Sequence, residues 1–322
     1  MKVHIPNSAF LGNINTFLEG IDPEGPNSLQ ITANPKWISI HPIVLAMIAA
    51  MGMSMKPEDI SCEEIVAPSG HYLKRMGLFK FLGIDPKVKE IKENEPAGRI
   101  IPLERITDSD ELDTFLKNLV PLLHLQAEPK HAHAIQHIFS ELIRNVLEHS
   151  IKKVAVVCAQ YFAKSNKISI GVADTGIGLK KAIGQSHLVD GDLIAIQLAL
   201  TPGITGTTSK PGGTAQNAGF GLFLIKSIAF VGSNFFVILS GNKMYKLLQR
   251  REDKQPTRLI ADPLKERHSI LDIPYWQGVA VGVDISLDQT SEFNSLLDAI
   301  HGFYSQEVKG KEKVRYRKPK FI

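Results

Sequence analysis

Three short segments combine a regular hydrophobic pattern with polar residues at fixed positions. Residues 137–150 (HIFSELIRNVLEHS) repeat apolar residues at helical spacing, which predicts an amphipathic helix. Residues 168–178 (ISIGVADTGIG) alternate as a half-buried strand does, until the pattern stops at Asp174. Residues 217–226 (NAGFGLFLIK) place two glycines at the start of an apolar helix. The polar residues of these segments are the candidates for a functional site.

Each segment offers groups with a specific chemistry. Glu141 and Asn145 lie one helical turn apart at the margin of the apolar stripe, which suits a water-activating base and a metal ligand. Asp174 stands at a strand end before Gly176 and Gly178, where backbone can approach a flat ligand beside a hydrogen-bond acceptor. The glycines of the third segment leave amide groups free at a helix start, and these amides and the helix dipole favour phosphate.

In this order and at these separations, the segments resemble the ATP-binding domain of the GHKL, or Bergerat-fold, family. That family includes gyrase-type topoisomerases, heat-shock chaperones, mismatch-repair ATPases and histidine kinases. Residues 141–149 resemble its N box, residues 174–178 its first glycine box and residues 219–222 its second. The N box is most similar to that of the anti-sigma-factor serine kinases. The resemblance spans residues 115–288 and implies an α/β sandwich with a mixed sheet.

The resemblance implies a site for ATP and Mg²⁺. Asp174 would accept a proton from the adenine amino group, Asn145 would bind Mg²⁺ through its amide oxygen, and Glu141 would be the catalytic base. The other residues implied to bind the nucleotide are Gly176, Gly178, Gly219, Gly221 and Leu222. The family supports its aspartate with a Gly-Thr pair near the last strand. Here that pair is Gly278-Val279, which lacks the hydroxyl.

The stretch between the two glycine boxes predicts a mobile lid. Residues 201–218 (TPGITGTTSKPGGTAQNA) are rich in Gly, Thr, Ser and Pro, and a flexible linker has no reason to lie between two site motifs. Thr208 and Lys210 either bind phosphates or are solvated polar residues. His149 is either a buried, hydrogen-bonded residue or a contact near the phosphates.

Three histidines, His131, His133 and His137, precede the N box. His133 and His137 have the spacing of a zinc pair, but no cysteine and no third suitably placed ligand completes a site. We therefore predict a solvated helix start here, with metal binding as the alternative.

Residues 1–85 predict a small α/β unit with the order strand–helix–strand–helix. Pro42 opens a helix that runs to about Met51, and residues 69–78 predict a second helix. This order implies parallel strands with helical crossovers, and it resembles a STAS domain, the fold of anti-sigma-factor antagonists. Ser39 lies near the place of their phosphorylated serine but still on the strand, so a docking or structural role is expected.

The remaining segments connect and close these units. Residues 86–114 predict a linker, residues 115–288 the GHKL domain, and residues 289–322 a C-terminal helix with a basic tail. Further predicted elements are an edge strand at Ile100–Ile106, a hairpin of 154–162 with 168–173, a turn at Gly241-Asn242 and a closing strand at 278–287.

Composition narrows the class of protein. The 322 residues are 43% hydrophobic and 22% charged, as in globular proteins with room for two domains. The net charge of +4 is concentrated in the last fourteen residues, which hold seven Lys or Arg against one Glu, so nucleic acid is not indicated. This tail is either a flexible, solvated end or a site for an anionic partner. Two distant cysteines, no secretion signal and no membrane-length apolar run predict a cytoplasmic protein with no membrane association.

These features predict an ATP-binding regulatory protein that hydrolyses ATP or phosphorylates a protein serine. The alternative is a nucleotide-gated protein-binding switch with little turnover. A sensor histidine kinase requires a phosphoacceptor helical hairpin, and residues 109–130 are too short for one. A protein partner, regulatory or substrate, is expected, and a homodimer is an open alternative.

Overall fold

The chain folds as an α+β protein. The computed structural model describes residues 1–89, 100–122, 129–150, 152–213, 219–250, 258–287 and 293–315. Over these ranges, helices are combined with a mixed sheet, an antiparallel sheet and a small two-stranded pair. The predicted combination of helices and sheets is therefore confirmed at the level of fold class. None of the helices in these ranges is long and apolar enough to cross a membrane.

The N-terminal unit, residues 1–85, contains the mixed sheet. Its strands are β1 (Lys2–Ile5), β3 (Ile21–Asp22), β4 (Leu29–Ala33) and β6 (Ile60–Cys62), arranged in the order β3-β1-β4-β6. The two-stranded pair is β2 (Ser8–Ala9) with β5 (Ser39–Ile40), and α1 (Asn15–Leu18) lies between β2 and β3 along the chain. β4 is parallel to both β1 and β6, and α2 (Pro42–Gly52) lies between β4 and β6 along the chain. The predicted parallel strands with a helical crossover are confirmed.

The second helix predicted for this unit, at residues 69–78, is wrong in its extent. It is divided into α3 (His71–Arg75) and α4 (Leu78–Leu82). Gly77 separates them with a φ of +78°, a left-handed conformation that glycine adopts at little cost. The helix therefore ends at this glycine and a new one begins after it.

The second sheet is antiparallel throughout. Its strands are β7 (Ile100–Ile106), β8 (Ala155–Phe162), β9 (Lys167–Ala173), β10 (Phe236–Leu247) and β11 (His268–Ser286), in the order β10-β11-β9-β8-β7. The predicted edge strand, β7, and the predicted hairpin of β8 with β9 are confirmed. The mixed sheet expected for this part of the chain is wrong, because each strand pairing within the described residues is antiparallel.

The turn predicted at Gly241-Asn242 is also wrong. β10 pairs with β11 on both sides of Gly241, with shifts in register around it. Gly241 has a φ of +62°, and a Cβ atom there would lie 2.3 Å from the Asp192 carboxylate. The same carboxylate accepts a hydrogen bond from Asn242 N at 2.9 Å. The glycine therefore makes room for a distant side chain at a β-bulge and does not reverse the chain.

Helices cover one face of the antiparallel sheet. They are α5 (Ser109–Leu122), α6 (Pro129–His149), α7 (Gly178–Ile183), α8 (Asp192–Ala199) and α9 (Gly221–Val231), and α10 (Phe293–Arg315) packs on α6 and α9. Alternate residues of β9, Ile168 and Ile170 among them, pack with the apolar faces of these helices in one core. α10 includes residues 309–315, so the first half of the predicted flexible tail is helical, and residues 316–322 lie outside the described residues.

The opposite face of the sheet is covered by α2. Gly171 and Gly282 are paired on β9 and β11, and a Cβ atom at Gly171 would lie 2.3 Å from Ile43 N. Ser169, Gly171 and Ala173 are small, so the helix backbone approaches this face closely. β9 is therefore buried on both faces, and the half-buried strand predicted for it is wrong. The N-terminal unit shares one continuous core with this face of the sheet.

Polar contacts fix the first turn of α2 against the sheet. His41 Nδ1 accepts a hydrogen bond from Ile43 N at 3.1 Å, and His41 Nε2 lies 3.3 Å from Asp284 Oδ1. The Ser169 hydroxyl donates to the same Asp284 oxygen at 2.5 Å. Burial alone would raise the pKa of Asp284, but its contacts with His41 and Ser169 lower that pKa below the usual value. The carboxylate is therefore a charged anchor for α2.

Candidate functional site

One cavity collects residues from all three sequence motifs. It lies between α6, the C-terminal end of β9, the middle of β11 and the first turn of α9, and its volume is about 240 Å³. The predicted site residues that line it are Glu141, Asn145, Asp174, Gly178, Gly219, Gly221 and Leu222. Gly176, Thr208 and Lys210 are not among its lining residues.

Asp174 forms one end of this cavity and is held by backbone amides. It follows the last residue of β9 and is 3% exposed. Gly176 N donates to Asp174 Oδ1 at 2.6 Å, and Val279 N donates to Oδ2 at 3.2 Å. Gly278 has a φ of +106°, and a Cβ atom there would lie 2.3 Å from Asp174 O. Glycine is therefore required at position 278, within β11, for Asp174 to lie this close to that strand.

The charge state of Asp174 is set mainly by its burial. Burial raises the pKa of the carboxyl group to about 6. The two backbone amides, the neighbouring Ser150 hydroxyl and the Lys152 ammonium act in the opposite direction. At neutral pH the group is mostly ionised, and each oxygen has lone pairs beyond the one used by a backbone amide. It can therefore accept a hydrogen bond from a ligand.

The sequence lacks the threonine hydroxyl that the resemblance implies beside Asp174, and two serine hydroxyls lie near this end of the cavity instead. Ser150 Oγ is buried and would lie 2.1 Å from a Cβ atom on Gly176, so it sits directly beside the first glycine box. Ser240 Oγ donates to Gly278 O at 2.7 Å and accepts from Leu179 N at 3.0 Å. Sequence reasoning missed both residues. Ser150 was identifiable as the residue that ends the N-box helix, whereas Ser240 is brought to the site only by the sheet.

Glu141 and Asn145 face the start of α9 across the cavity. A Cβ atom at Gly221 would lie 2.5 Å from Glu141 Oε2 and 3.1 Å from Asn145 Nδ2. Any other side chain at position 221 would therefore fill the space between α6 and α9. Asn145 Nδ2 is buried and has no hydrogen-bond partner among the described residues. A buried amide without a partner is costly, and a polar ligand that contacts this side chain would offset the cost.

The other α6 side chains that line the cavity include His149 and the ion pair of Arg144 with Glu148. His149 is half-buried and lines the cavity, so the structure favours the cavity contact over a position in the core. Burial lowers the pKa of His149, with Glu148 acting against the shift, and the ring is therefore neutral at neutral pH. Arg144 Nη2 lies 3.0 Å from Glu148 Oε1 at the outer rim, and both side chains also line the cavity.

Two of the three histidines before the N box, His133 and His137, have their side chains in the described part of the chain. No group of three His, Cys, Asp or Glu side chains there could hold a metal ion. His133 is exposed, as a solvated helix start predicts, whereas His137 is half-buried and its Nε2 atom is buried. The side chain of His131 lies outside the described residues.

The wall opposite α6 comes from the predicted lid. The structure describes residues 201–213 of it, which we call the lid loop, and residues 214–218 lie outside the described residues. Ile204, Thr205 and Gly206 line the cavity. The Thr208 hydroxyl instead accepts a hydrogen bond from Lys210 N at 3.2 Å, and the Lys210 side chain is exposed. A phosphate contact by these two residues stays a prediction.

A scan against protein-family models, a search of curated proteins and a search of solved structures each found no match. The choice of ligand therefore rests on the cavity itself. One end offers a buried carboxylate that can accept a hydrogen bond. The other end has glycines at a helix start, an orphan amide and a carboxylate. Such a cavity suits an elongated ligand with a flat, hydrogen-bonding end and an anionic, metal-binding end.

Proposed function

We propose that this cavity binds MgATP and that the chain is an ATP-binding regulatory protein of the GHKL type. The observation that carries the proposal is the convergence of Glu141, Asn145 and Asp174 on one cavity with Gly219 and Gly221. Packing of the core does not require these polar residues to meet, whereas an ATP site with this order of motifs does.

Asp174 supports adenine as the base. Adenine presents an amino donor where guanine presents a carbonyl acceptor, and a carboxylate accepts from the first and repels the second. Because Asp174 is buried and fixed by two backbone amides, it would reject a second acceptor rather than turn away from it. This selection favours ATP over GTP.

Asn145 and Glu141 fit a magnesium nucleotide. Mg²⁺ prefers oxygen ligands and takes few of them from the protein, with phosphates and water supplying the rest. A single amide oxygen from the Asn145 side chain, which lines the cavity, would meet that need without a cluster of carboxylates. When bound, Mg²⁺ would neutralise phosphate charge, and the amides that begin α9 at Gly221 would receive the phosphates.

The architecture supports the same family. A Bergerat-type sandwich places helices on one face of a sheet, as α5 to α9 are placed here, but the strand pairings of this sheet within the described residues are antiparallel. The mixed sheet and the crossover helix α2 of the N-terminal unit support a STAS-like fold for it. We propose a docking role for this unit, because α2 packs on β9, the strand that ends at Asp174.

Glu141 is the proposed base for the reaction. It would accept a proton either from water, giving ATP hydrolysis, or from a serine hydroxyl of a protein substrate, giving phosphotransfer. A nucleotide-gated switch with little turnover is the second candidate. The contact of α2 with β9 favours it, since a change at Asp174 would reach the N-terminal unit directly.

Multiple-turnover assays of the pure protein test the proposal. We expect [γ-³²P]ATP to yield phosphate or a phosphorylated protein, with or without a candidate partner. Glu141→Ala should slow this reaction by about 10²–10⁴, the usual contribution of a general base, while ATP affinity stays within a few-fold. Full activity in Glu141→Ala would contradict the catalytic role. Tight ATP binding with no turnover under any condition would favour the switch.

A further inference from the structure

α10 packs against the glycine box that begins α9. The Phe220 ring stacks on the His301 ring with centroids 4.2 Å apart, and the Tyr304 ring meets its edge at 5.1 Å. Phe223, one turn into α9, stacks on Phe303 at 6.0 Å. Because Phe220 also lines the cavity, α10 supports the phosphate end of the site from behind.

The C-terminal half of α10 holds the lid loop. The Val308 side chain fits between Gly203 and Gly212, where added Cβ atoms would lie 2.7 and 2.8 Å from its methyl groups. Lys311 Nζ donates to Pro202 O at 2.8 Å. These two side chains lie on one face of the helix, three residues apart, and both are half-buried.

The far side of the lid loop is attached to the segment after α7. His187 Nε2 lies 3.0 Å from Thr205 O, and the Ser186 hydroxyl donates to Gly206 O at 2.8 Å. Thr205 and Gly206 form the cavity wall. The loop is therefore held between α10 and this segment, and the Gly203 amide also donates to Gly219 O at 3.0 Å.

Of the two sets of contacts, those between the lid loop and α10 are expected to break more easily when the loop moves. It consists of one valine between two glycines and one lysine that bonds a carbonyl group. Burial lowers the pKa of Lys311, with Glu307 acting against the shift, so the contact carries a desolvation cost. Water can replace the lysine bond when the helix lifts, at a small net loss of free energy.

We propose that α10 is a strap that holds the lid loop closed over the cavity, and that release of its C-terminal half opens the cavity to ligand. Only the identity of the ligand, MgATP, rests on the function proposed above. The strap acts on the opening step, which precedes both binding and release. Loosening it should therefore raise both rates and leave the equilibrium affinity nearly unchanged.

The full-length double variant Val308→Ala/Lys311→Ala tests the strap without nucleotide. Hydrogen exchange measured by mass spectrometry should show the Gly203 and Gly212 amides, bonded to Gly219 O and Gly203 O, exchanging about tenfold faster than in the wild type. Lys309→Ala, an exposed position between the two contacts, is the matched control and should exchange at the wild-type rate. Lys311→Met removes only the lysine bond and should give about a threefold increase. Wild-type exchange in the double variant, with an unchanged unfolding midpoint, would overturn the proposal.

Stopped-flow binding of a fluorescent ATP analogue tests the gate. In the double variant, the association and dissociation rates should both rise by about tenfold, with Kd within about threefold of the wild type. A rise in the dissociation rate alone would mean that the site was damaged rather than opened, and it would overturn the gating role. If the wild type binds no nucleotide, the proposed function fails, while the exchange experiment still decides whether α10 holds the loop.

Discussion

Asp174 is a buried carboxyl group whose pKa is about 6, close to neutral pH. Its ionised form accepts a hydrogen bond from an adenine amino group more strongly than its neutral form does. We therefore expect ATP affinity to be constant well above pH 6 and to fall by about tenfold in total as the carboxyl group is protonated below it. Calorimetric titration at a series of pH values measures this.

The control for this experiment is Asp174→Asn, which cannot titrate. Its affinity should follow only the titration of the nucleotide phosphates, and an identical pH profile in the two proteins would contradict the assignment.

In the protein without ligand, the raised pKa of Asp174 also makes the free energy of unfolding depend on pH. Folding favours the protonated carboxyl group, so this contribution to the free energy of unfolding is present at low pH and is lost as the pH rises through about 6.

We expect Asn145 to contribute to ATP binding by ligating Mg²⁺ and not by contacting the adenine. Asn145→Ala should weaken ATP binding in the presence of Mg²⁺ by about tenfold or more, since an oxygen ligand is lost. Binding measured with EDTA should change much less. Glu141→Ala is the matched control on the same face of α6, with affinity near that of the wild type. Equal loss of affinity with and without Mg²⁺ would exclude Asn145 as a metal ligand.

At the residue scale, the site residues that could be predicted are those that belong to a local hydrophobic pattern. Asp174 ends an alternating strand, and Glu141 and Asn145 share a helix face, so their positions follow from periods of two and 3.6 residues. Ser240 supports the site from another strand and has no local signal. Val279 has no hydroxyl to support Asp174, but its backbone amide donates a hydrogen bond to the Asp174 carboxylate.

At the element scale, the packing of α2 on β9 depends on glycine at position 171. Gly171→Ala would place a Cβ atom 2.3 Å from Ile43 N, and a backbone atom cannot move aside as a flexible side chain can. We expect the free energy of unfolding to fall by about 1–3 kcal/mol, the usual cost of overpacking. Urea denaturation measures this change.

Gly302→Ala is the control for this effect, because nothing lies within 4 Å of a Cβ atom there and the residue is helical. It should be neutral or stabilising by up to about 1 kcal/mol, in line with helix propensity. Similar unfolding midpoints for Gly171→Ala and the wild type would mean that α2 does not approach β9 this closely.

Close contacts between distant residues, such as that of Gly171 with Ile43, are what the sequence predicts poorly. Hydrophobic period and turn residues are local, so the α2 boundaries and the β8–β9 hairpin were predicted correctly. Gly171 and Gly241 have another role: they leave space for Ile43 and Asp192, which are distant in sequence. A glycine in a strand pattern does not reveal whether it serves a turn, a bulge or a close approach.

At the scale of the whole molecule, two helices connect the cavity to the N-terminal unit and to the C-terminal part of the chain. α2 packs beneath the strand that ends at Asp174, and α10 packs against the lid loop and Phe220. Neither contact was predicted, because both join parts of the sequence that no local pattern relates. They place the N-terminal unit and α10 in direct contact with the elements that form the cavity. A regulatory protein needs such a route from ligand to partner.

The central claim is that the cavity binds MgATP through Asp174, and calorimetric titration of the wild type and Asp174→Asn tests it most directly. The wild type should prefer MgATP to MgGTP by about tenfold or more. Asp174→Asn should bind MgATP more than about tenfold more weakly, as expected for the loss of a charge-assisted hydrogen bond, with little change for MgGTP. Equal affinity of the two proteins for MgATP, or no binding by the wild type, would contradict the claim.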